Sequence, residues 1–190
     1  MFRRPRSRLP YIILTTDESR GGDPLAAAAR LPRGAAVILR HDGVAGRAAL
    51  AASVARICRA RGLALVVARD EGLAIRLRAG LHLAEGMRPG VRFRLARRRS
   101  RALLTMAAHG KGALARARNA GADLALLSPL FPTASHPGAP SLGTLRFASL
   151  ARAARVPIAA LGGMTQARIS AARRAGACSV AAIGALSHPA

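Results

Sequence analysis

The stretch Pro157-Ile158-Ala159-Ala160-Leu161-Gly162-Gly163-Met164-Thr165-Gln166-Ala167-Arg168-Ile169-Ser170-Ala171-Ala172-Arg173-Arg174-Ala175-Gly176-Ala177-Cys178-Ser179-Val180-Ala181-Ala182-Ile183-Gly184 carries a complete structural unit. Two short apolar runs are each closed by glycine. Between them Ala167, Ile169 and Ala171 alternate with Arg168, Arg173 and Arg174, which suits a helix with one covered face. Gly176 stands where a helix must stop, because glycine takes the left-handed conformation that other residues adopt only with strain. The unit therefore reads strand, turn, helix, turn, strand, the crossover that parallel strands need.

Working outward, the same junction recurs. Gly34, Gly62, Gly80, Gly121 and Gly176 each end an Ala/Arg-rich stretch and precede a short aliphatic run. The runs after them, Ala36 to Arg40, Leu63 to Ala68, Leu81 to Ala84, Asp123 to Ser128 and Cys178 to Ile183, read as strands. Tyr11 to Thr15, Leu103 to Ala107 and Pro157 to Leu161 raise the expected count to eight. Seven intervening stretches carry helical pattern, most clearly Arg47 to Ala60, Lys111 to Ala120, Leu145 to Arg155 and Gln166 to Ala175.

Eight such units predict a closed (β/α)8 barrel, the TIM-barrel class, over an open doubly wound sheet. No dinucleotide glycine fingerprint follows the first strand, and Arg20-Gly21-Gly22-Asp23 is too loose to serve as one. At 190 residues the chain falls below the roughly 200-residue lower end of this fold, so short helices are expected, above all the first and the fourth. The final helix should be nearly absent. Residues 1–10 read as a basic tail and residues 11–190 as a single barrel domain.

Composition bounds the function. Hydrophobic residues make up 51% of the chain and aromatics only 3%, so Ala, Leu, Val and Ile must fill the core. Lys and Arg total 31 against 8 Asp and Glu, a formal charge of +23, and Lys111 is the sole lysine. Arginine, alanine and glycine enriched together point to a compositional bias more than to a nucleic-acid site. The densest run, Arg92 to Arg101, lacks the interleaved aromatics on which single-stranded nucleic acid stacks. A nucleic-acid binder is thus the lowest-ranked reading. Cys58 and Cys178 show neither a disulfide framework nor metal-ligand spacing, which fits a reducing cytoplasm. The apolar runs stay far below the roughly 20 residues that span a bilayer, so no membrane association is expected.

In this architecture the loops after the strands gather at one rim, where ligands bind. Gly162 and Gly163 after strand seven, and Ile183 and Gly184 after strand eight, can bring backbone N–H groups close to an anion. Thr165 is placed to cap the following helix. The long loop after strand six offers Thr133, Ser135 and His136 as hydrogen-bonding groups. His41, His82 and His109 sit near strand ends, but their spacing does not make a zinc site. Asp70 and Glu85 are the candidate ligands for magnesium.

These segments together resemble the thiamine phosphate synthase family, including its tautomerase-like branch, from about Tyr11 to Leu186. The resemblance rests on Tyr11 to Asp17, Val37 to Arg40, Ala79 to Leu83, Ala107 to Gly110, Ser128 to Thr133, Ala159 to Thr165 and Val180 to Leu186. It implies an eight-stranded barrel that joins a hydroxymethylpyrimidine pyrophosphate to a thiazole phosphate and releases pyrophosphate with the help of magnesium. It also implies roles. Arg40 matches the arginine beside the pyrimidine pyrophosphate, Thr133 the first loop threonine, and Gly162, Gly163 and Ile183 the turns around the thiazole phosphate.

The sequence departs from the family pattern elsewhere. The strand-two glutamine and lysine correspond to Ile38 and Asp42, the Asn-Asp pair after strand three to Ala68 and Arg69, and the second magnesium aspartate to about Met87. The strand-five serine falls at Ala107, the loop lysine at His136, and the serine after strand eight at Gly184. Pro129 stands where the tautomerase branch carries its histidine. The expectation is a transferase of divergent site, with Arg40 and His136 as catalytic candidates and Thr133, Ser135, Gly162, Gly163, Ile183, Gly184 and His109 binding a phosphorylated small-molecule substrate. Arg69 could supply positive charge in place of magnesium. The alternative is a catalytically silent barrel that binds the thiazole phosphate or a similar ligand.

Overall fold

The computed structural model describes residues 9–18, 22–100, 102–133, 138 and 140–183. Eight parallel strands form a closed barrel in sequence order, with β8 pairing back onto β1 through Ile12 and Val180, Ile13 and Ala181, and Leu14 and Ala182. The strands are β1 (Ile12–Thr15), β2 (Ala36–Leu39), β3 (Ala64–Ala68), β4 (Gly80–Leu83), β5 (Leu104–Ala108), β6 (Leu124–Leu127), β7 (Ile158–Ala160) and β8 (Ser179–Ala182). Each lies within one or two residues of its expected position. Among the described residues seven α-helices cover the outside: α1 (Pro24–Ala29), α2 (Arg47–Arg61), α3 (Glu71–Leu77), α4 (Val91–Ser100), α5 (Lys111–Asn119), α6 (Gly143–Ala153) and α7 (Ile169–Arg174).

Alternation along the strands splits the core into two layers. Ile13, Ala36, Ile38, Val66, Leu124, Leu126, Ala159 and Ala181 point into the barrel and pack on one another. Their neighbours, among them Leu14, Val37, Leu39, Val67, Leu81, Leu104 and Val180, face the helices. Successive side chains leave opposite faces of a strand, so the inward set continues two residues further to Thr15, Arg40, Ala68 and Ser128. The chain thereby aims polar residues at the end of the barrel where its strands finish.

Helix lengths differ from expectation in one place. The first helix has 6 residues, but the fourth has 10, and α3 (7 residues) and α7 (6 residues) are the short ones. In α4 only Phe93 is fully buried among five arginines, so its apolar repeat is faint in the sequence even though the helix is long. The residues that would carry a final helix lie outside the described set.

The glycine junctions end a helix at three of five places, because α1 stops at Ala29 and Gly34 instead lies in the turn closed by Ala35 N–H and Pro32 O. Gly34, Gly62, Gly121 and Gly176 have φ of 84°, 67°, 71° and 99°. Gly80 does not end a helix. Arg78 takes the left-handed conformation there (φ 53°), at a cost of roughly 1–2 kcal/mol for a residue with a Cβ. Gly80 instead opens β4, where a Cβ would lie 2.6 Å from the carbonyl oxygen of Leu103. It is needed for close approach of neighbouring backbone rather than for a turn.

Among the described residues, no helix is long and apolar enough to cross a membrane. On α4, Arg92, Arg94, Arg98 and Arg99 are exposed, as expected of a solvated helix face.

Candidate functional site

A cavity of about 590 Å³ opens where the strands finish. The inner layer leaves this space because Ala68, Ala84 and Ala107 stand where larger side chains would fill the mouth. Among the expected site residues, Arg40, Glu85, His109, Thr133, Gly162, Gly163 and Ile183 all line it. Asp70 is not among the lining residues. Ser135, His136 and Gly184 lie outside the described residues.

One wall is the turn after β7. Gly162 and Gly163 both have positive φ, 97° and 61°. Their carbonyls are committed, that of Gly162 to the loop after β6 and that of Gly163 to the turn before α7. Leu130 N–H donates to Leu161 O at 2.8 Å, Phe131 N–H to Gly162 O at 3.1 Å, and Arg168 Nη1 to Gly163 O at 2.7 Å. With the carbonyls so used, the amides of Gly162 and Gly163 make no backbone hydrogen bond among the described residues. Thr165 takes the capping position, but its side chain makes no capping bond and the first turn is a 3₁₀ turn (Gln166–Arg168) before α7. Thr165 lines the cavity instead.

The opposite wall is cationic. Arg40 and Arg69 both line the cavity, and no hydrogen bond or ion pair engages the Arg40 guanidinium among the described residues. Arg69 has φ 60°, and the N–H of Asp70 donates across it to Ala68 O at 2.8 Å, a tight three-residue turn that non-glycine residues form only under strain.

Three histidines divide between structure and rim. His82 lies inside the barrel with Nδ1 2.9 Å from the Thr105 hydroxyl. Burial, reinforced by the Arg40 and Arg69 charges, lowers its pKa from 6.5 to about 4, so the ring is neutral near pH 7. The Thr16 hydroxyl lies 3.0 Å from His41 Nδ1. His109 Nδ1–H donates to the Ser128 carbonyl at 2.9 Å, which in the neutral ring leaves Nε2 as an acceptor.

Several groups in the cavity escaped sequence reasoning. Thr15 is 2% exposed, and its buried hydroxyl has no hydrogen-bond partner among the described residues. Such a group in a cavity wall invites a polar ligand atom. Arg168 also lines the mouth, held by Gly163 O and stacked 4.9 Å from the Phe131 ring centroid. Their sequence signal is positional only: Thr15 ends a strand on the inward parity, and Arg168 closes the first turn after a glycine pair.

The carboxylates do not fit a magnesium site. Asp70 Oδ1 caps α3 by accepting the Leu73 N–H at 2.8 Å, and Oδ2 lies 3.7 Å from Arg47. Glu85 is paired with Arg116. No group of three or more potential ligands converges among the described residues. Magnesium beside substrate phosphates is held by one or two carboxylates, and the two that line the cavity, Asp42 and Glu85, are both paired with arginines.

A family model described as thiamine monophosphate synthase matches residues 11–186. The chain belongs to that family. A putative thiamine-phosphate synthase of Geobacter sulfurreducens is 32% identical over 93% of this chain and 85% of its own length. A thiamine-phosphate synthase of Salinispora tropica is 39% identical over 48% of this chain, a match that spans only 44% of that relative. Among solved structures, a thiamine phosphate pyrophosphorylase from Pyrococcus furiosus superposes with a TM-score of 0.76 at 18% identity, covering 95% of this chain and 88% of that one. FabK from Thermotoga maritima shares the barrel with a TM-score of 0.70 at 15% identity over 94% of this chain and 59% of that one. These last two likenesses concern the fold. Against the thiamine monophosphate synthase pattern, Ile38 is a wholly buried member of the inner layer, and Ala107 lines the cavity without a hydroxyl.

Proposed function

We propose that this chain is a thiamine phosphate synthase-like transferase that joins a hydroxymethylpyrimidine pyrophosphate to a thiazole phosphate. The observation that carries the reading is a single cavity with two distinct anion-attracting walls, the glycine turn at Gly162 and Gly163 on one side and Arg40 with Arg69 on the other. A thiazole phosphate at the turn would meet two amides that make no backbone hydrogen bond among the described residues. A pyrophosphate at the arginines would meet paired guanidinium forks.

The reaction breaks the bond between the pyrimidine methylene carbon and the pyrophosphate oxygen, and the electron pair leaves with pyrophosphate. The thiazole nitrogen then donates its lone pair to that carbon. Arg40 stabilises charge that grows on the departing group, and the two walls hold nitrogen and carbon in line. Magnesium would supply the same neutralisation, but the carboxylates described above do not fit it and no step is assigned to it.

The test is to incubate the purified chain with both substrates and follow thiamine phosphate and pyrophosphate together. Product is expected, and Arg40→Ala should lower kcat/KM roughly 10- to 100-fold, the worth of one charge-assisted contact. Absence of product above background overturns the reading. The alternative, a barrel that binds the phosphorylated thiazole without turnover, draws on the engagement of Asp42, Asp70 and Glu85 with arginines. Tight binding of thiazole phosphate without product would establish it.

A further inference from the structure

The rim of the barrel beside β2 and β3 is wired for an anion. Asp42 Oδ1 accepts from Arg47 Nη2 at 2.9 Å, and its Oδ2 lies 3.6 Å from Arg69 Nε. Arg47 also donates to Ala68 O and lies 3.7 Å from Asp70, with its side chain only 16% exposed. Arg47 and Asp42 thus form a fixed brace whose last member, Arg69, is 57% exposed and faces the cavity. Arg40 faces the same space, and both guanidinium groups lie near enough to His82 to act on its ring. Among the described residues that line the cavity or are tied to it by ion pairs, Arg40, Arg47, Arg69, Arg116 and Arg168 stand against Asp42, Asp70 and Glu85.

We propose that Arg40 and Arg69 form a pyrophosphate subsite that operates without a divalent cation. The inference rests on the transferase reading for its ligand and deepens it. A pyrophosphate group presents oxygens on two phosphorus atoms, and two planar guanidinium groups each offer paired N–H donors to them. Charge that a metal ion would neutralise from acidic ligands is met here by fixed cations. The strained turn at Arg69 is consistent with that task, since it directs a long side chain from the end of β3 over the mouth. Arg47 is a positioning residue that holds Asp42, and Asp42 in turn orients Arg69.

The variant that tests this is Arg69→Gly. Glycine is at ease at φ 60°, so the substitution removes the charge and relieves the backbone rather than unfolding the chain. Calorimetric titration with inorganic pyrophosphate in a metal chelator should show binding by the wild type that excess magnesium does not strengthen. Arg69→Gly should weaken that binding roughly tenfold or more, with unchanged or raised Tm, and Arg69→Lys should restore part of it. Binding that appears only when magnesium is added overturns the proposal, as does an Arg69→Gly chain that binds like the wild type. The two-substrate assay run in chelator separates the readings. Pyrophosphate binding in chelator, with no product either with or without magnesium, removes the transferase and leaves the subsite, whereas product formed only with magnesium removes the subsite and leaves the transferase.

Discussion

Gly162 is pressed so closely against Pro129 that a Cβ built upon it would lie 2.7 Å from the proline Cα. The glycine pair therefore has two duties, turning the chain at positive φ and letting the β6 and β7 loops touch. Gly162→Ala should cost about 2–4 kcal/mol, combining left-handed strain with overpacking. Gly121 is the control. Its φ is 71° with nothing within 4 Å of an added Cβ, so Gly121→Ala carries only the conformational part, about 1 kcal/mol. Denaturant midpoints of the two variants check this, and equal losses would remove the argument from close approach.

Thr15 bears a buried hydroxyl at the wall of the cavity with no partner among the described residues. Leaving a buried polar group unpaired costs about 1–3 kcal/mol, whereas an apolar replacement of like shape is close to neutral. Thr15→Val should accordingly keep or raise Tm while weakening ligand binding. A fall in Tm without loss of affinity would show that the hydroxyl serves the fold and not the ligand.

His82 predicts an acid limb in stability. The folded chain holds the ring at a pKa of about 4, while the unfolded chain titrates near the ordinary 6.5. Above pH 6.5 both states are neutral at this ring and the full stability is present. As pH falls from 6.5 toward 4 the unfolded chain takes up a proton that the folded chain refuses, and stability drains away, by about 2 kcal/mol at pH 5. His82→Gln keeps a hydrogen-bonding partner for Thr105 and removes the titration. Urea midpoints at pH 5 and pH 7.5 should differ less in the variant than in the wild type, and an equal difference would place the acid sensitivity elsewhere.

How much of this was readable in the chain follows from what kind of signal each feature leaves. The eight strands are short aliphatic runs, five of them behind glycine, a local pattern that survives without tertiary knowledge. Gly162 and Gly163 were legible as a turn, but their contact with Pro129 and Phe131 was not, because it joins loops that meet only when β6 pairs with β7. The Asp42, Arg47 and Arg69 brace was hidden for the same reason, since its members come from the ends of β2 and β3 and the start of α2. Thr15 and Arg40 owe their place in the cavity to inward parity, which a register shift of one residue would reverse. Asp70 read as a metal ligand because it is acidic and near the rim; its carboxylate is engaged at the start of α3.

Asp123 offers a last test, of how the barrel is fastened away from its mouth. Its Oδ2 accepts the Leu104 N–H at 2.8 Å at the start of β5 and Arg97 Nη2 at 2.6 Å, while Arg97 Nη1 reaches Gly121 O at 3.0 Å. One carboxylate oxygen thus ties α4 to the entry of two neighbouring strands, with the Arg97 side chain only 14% exposed. Asp123→Ala strands a strand amide and a largely buried guanidinium, and should cost about 3–5 kcal/mol. The second substitution Arg97→Met should recover part of that loss, because the uncompensated charge goes with it and the methionine stem still covers the core. A double-mutant cycle by urea denaturation measures the coupling. If the two losses simply add, the carboxylate and the guanidinium act independently, and the fastening must be carried by the Leu104 hydrogen bond alone.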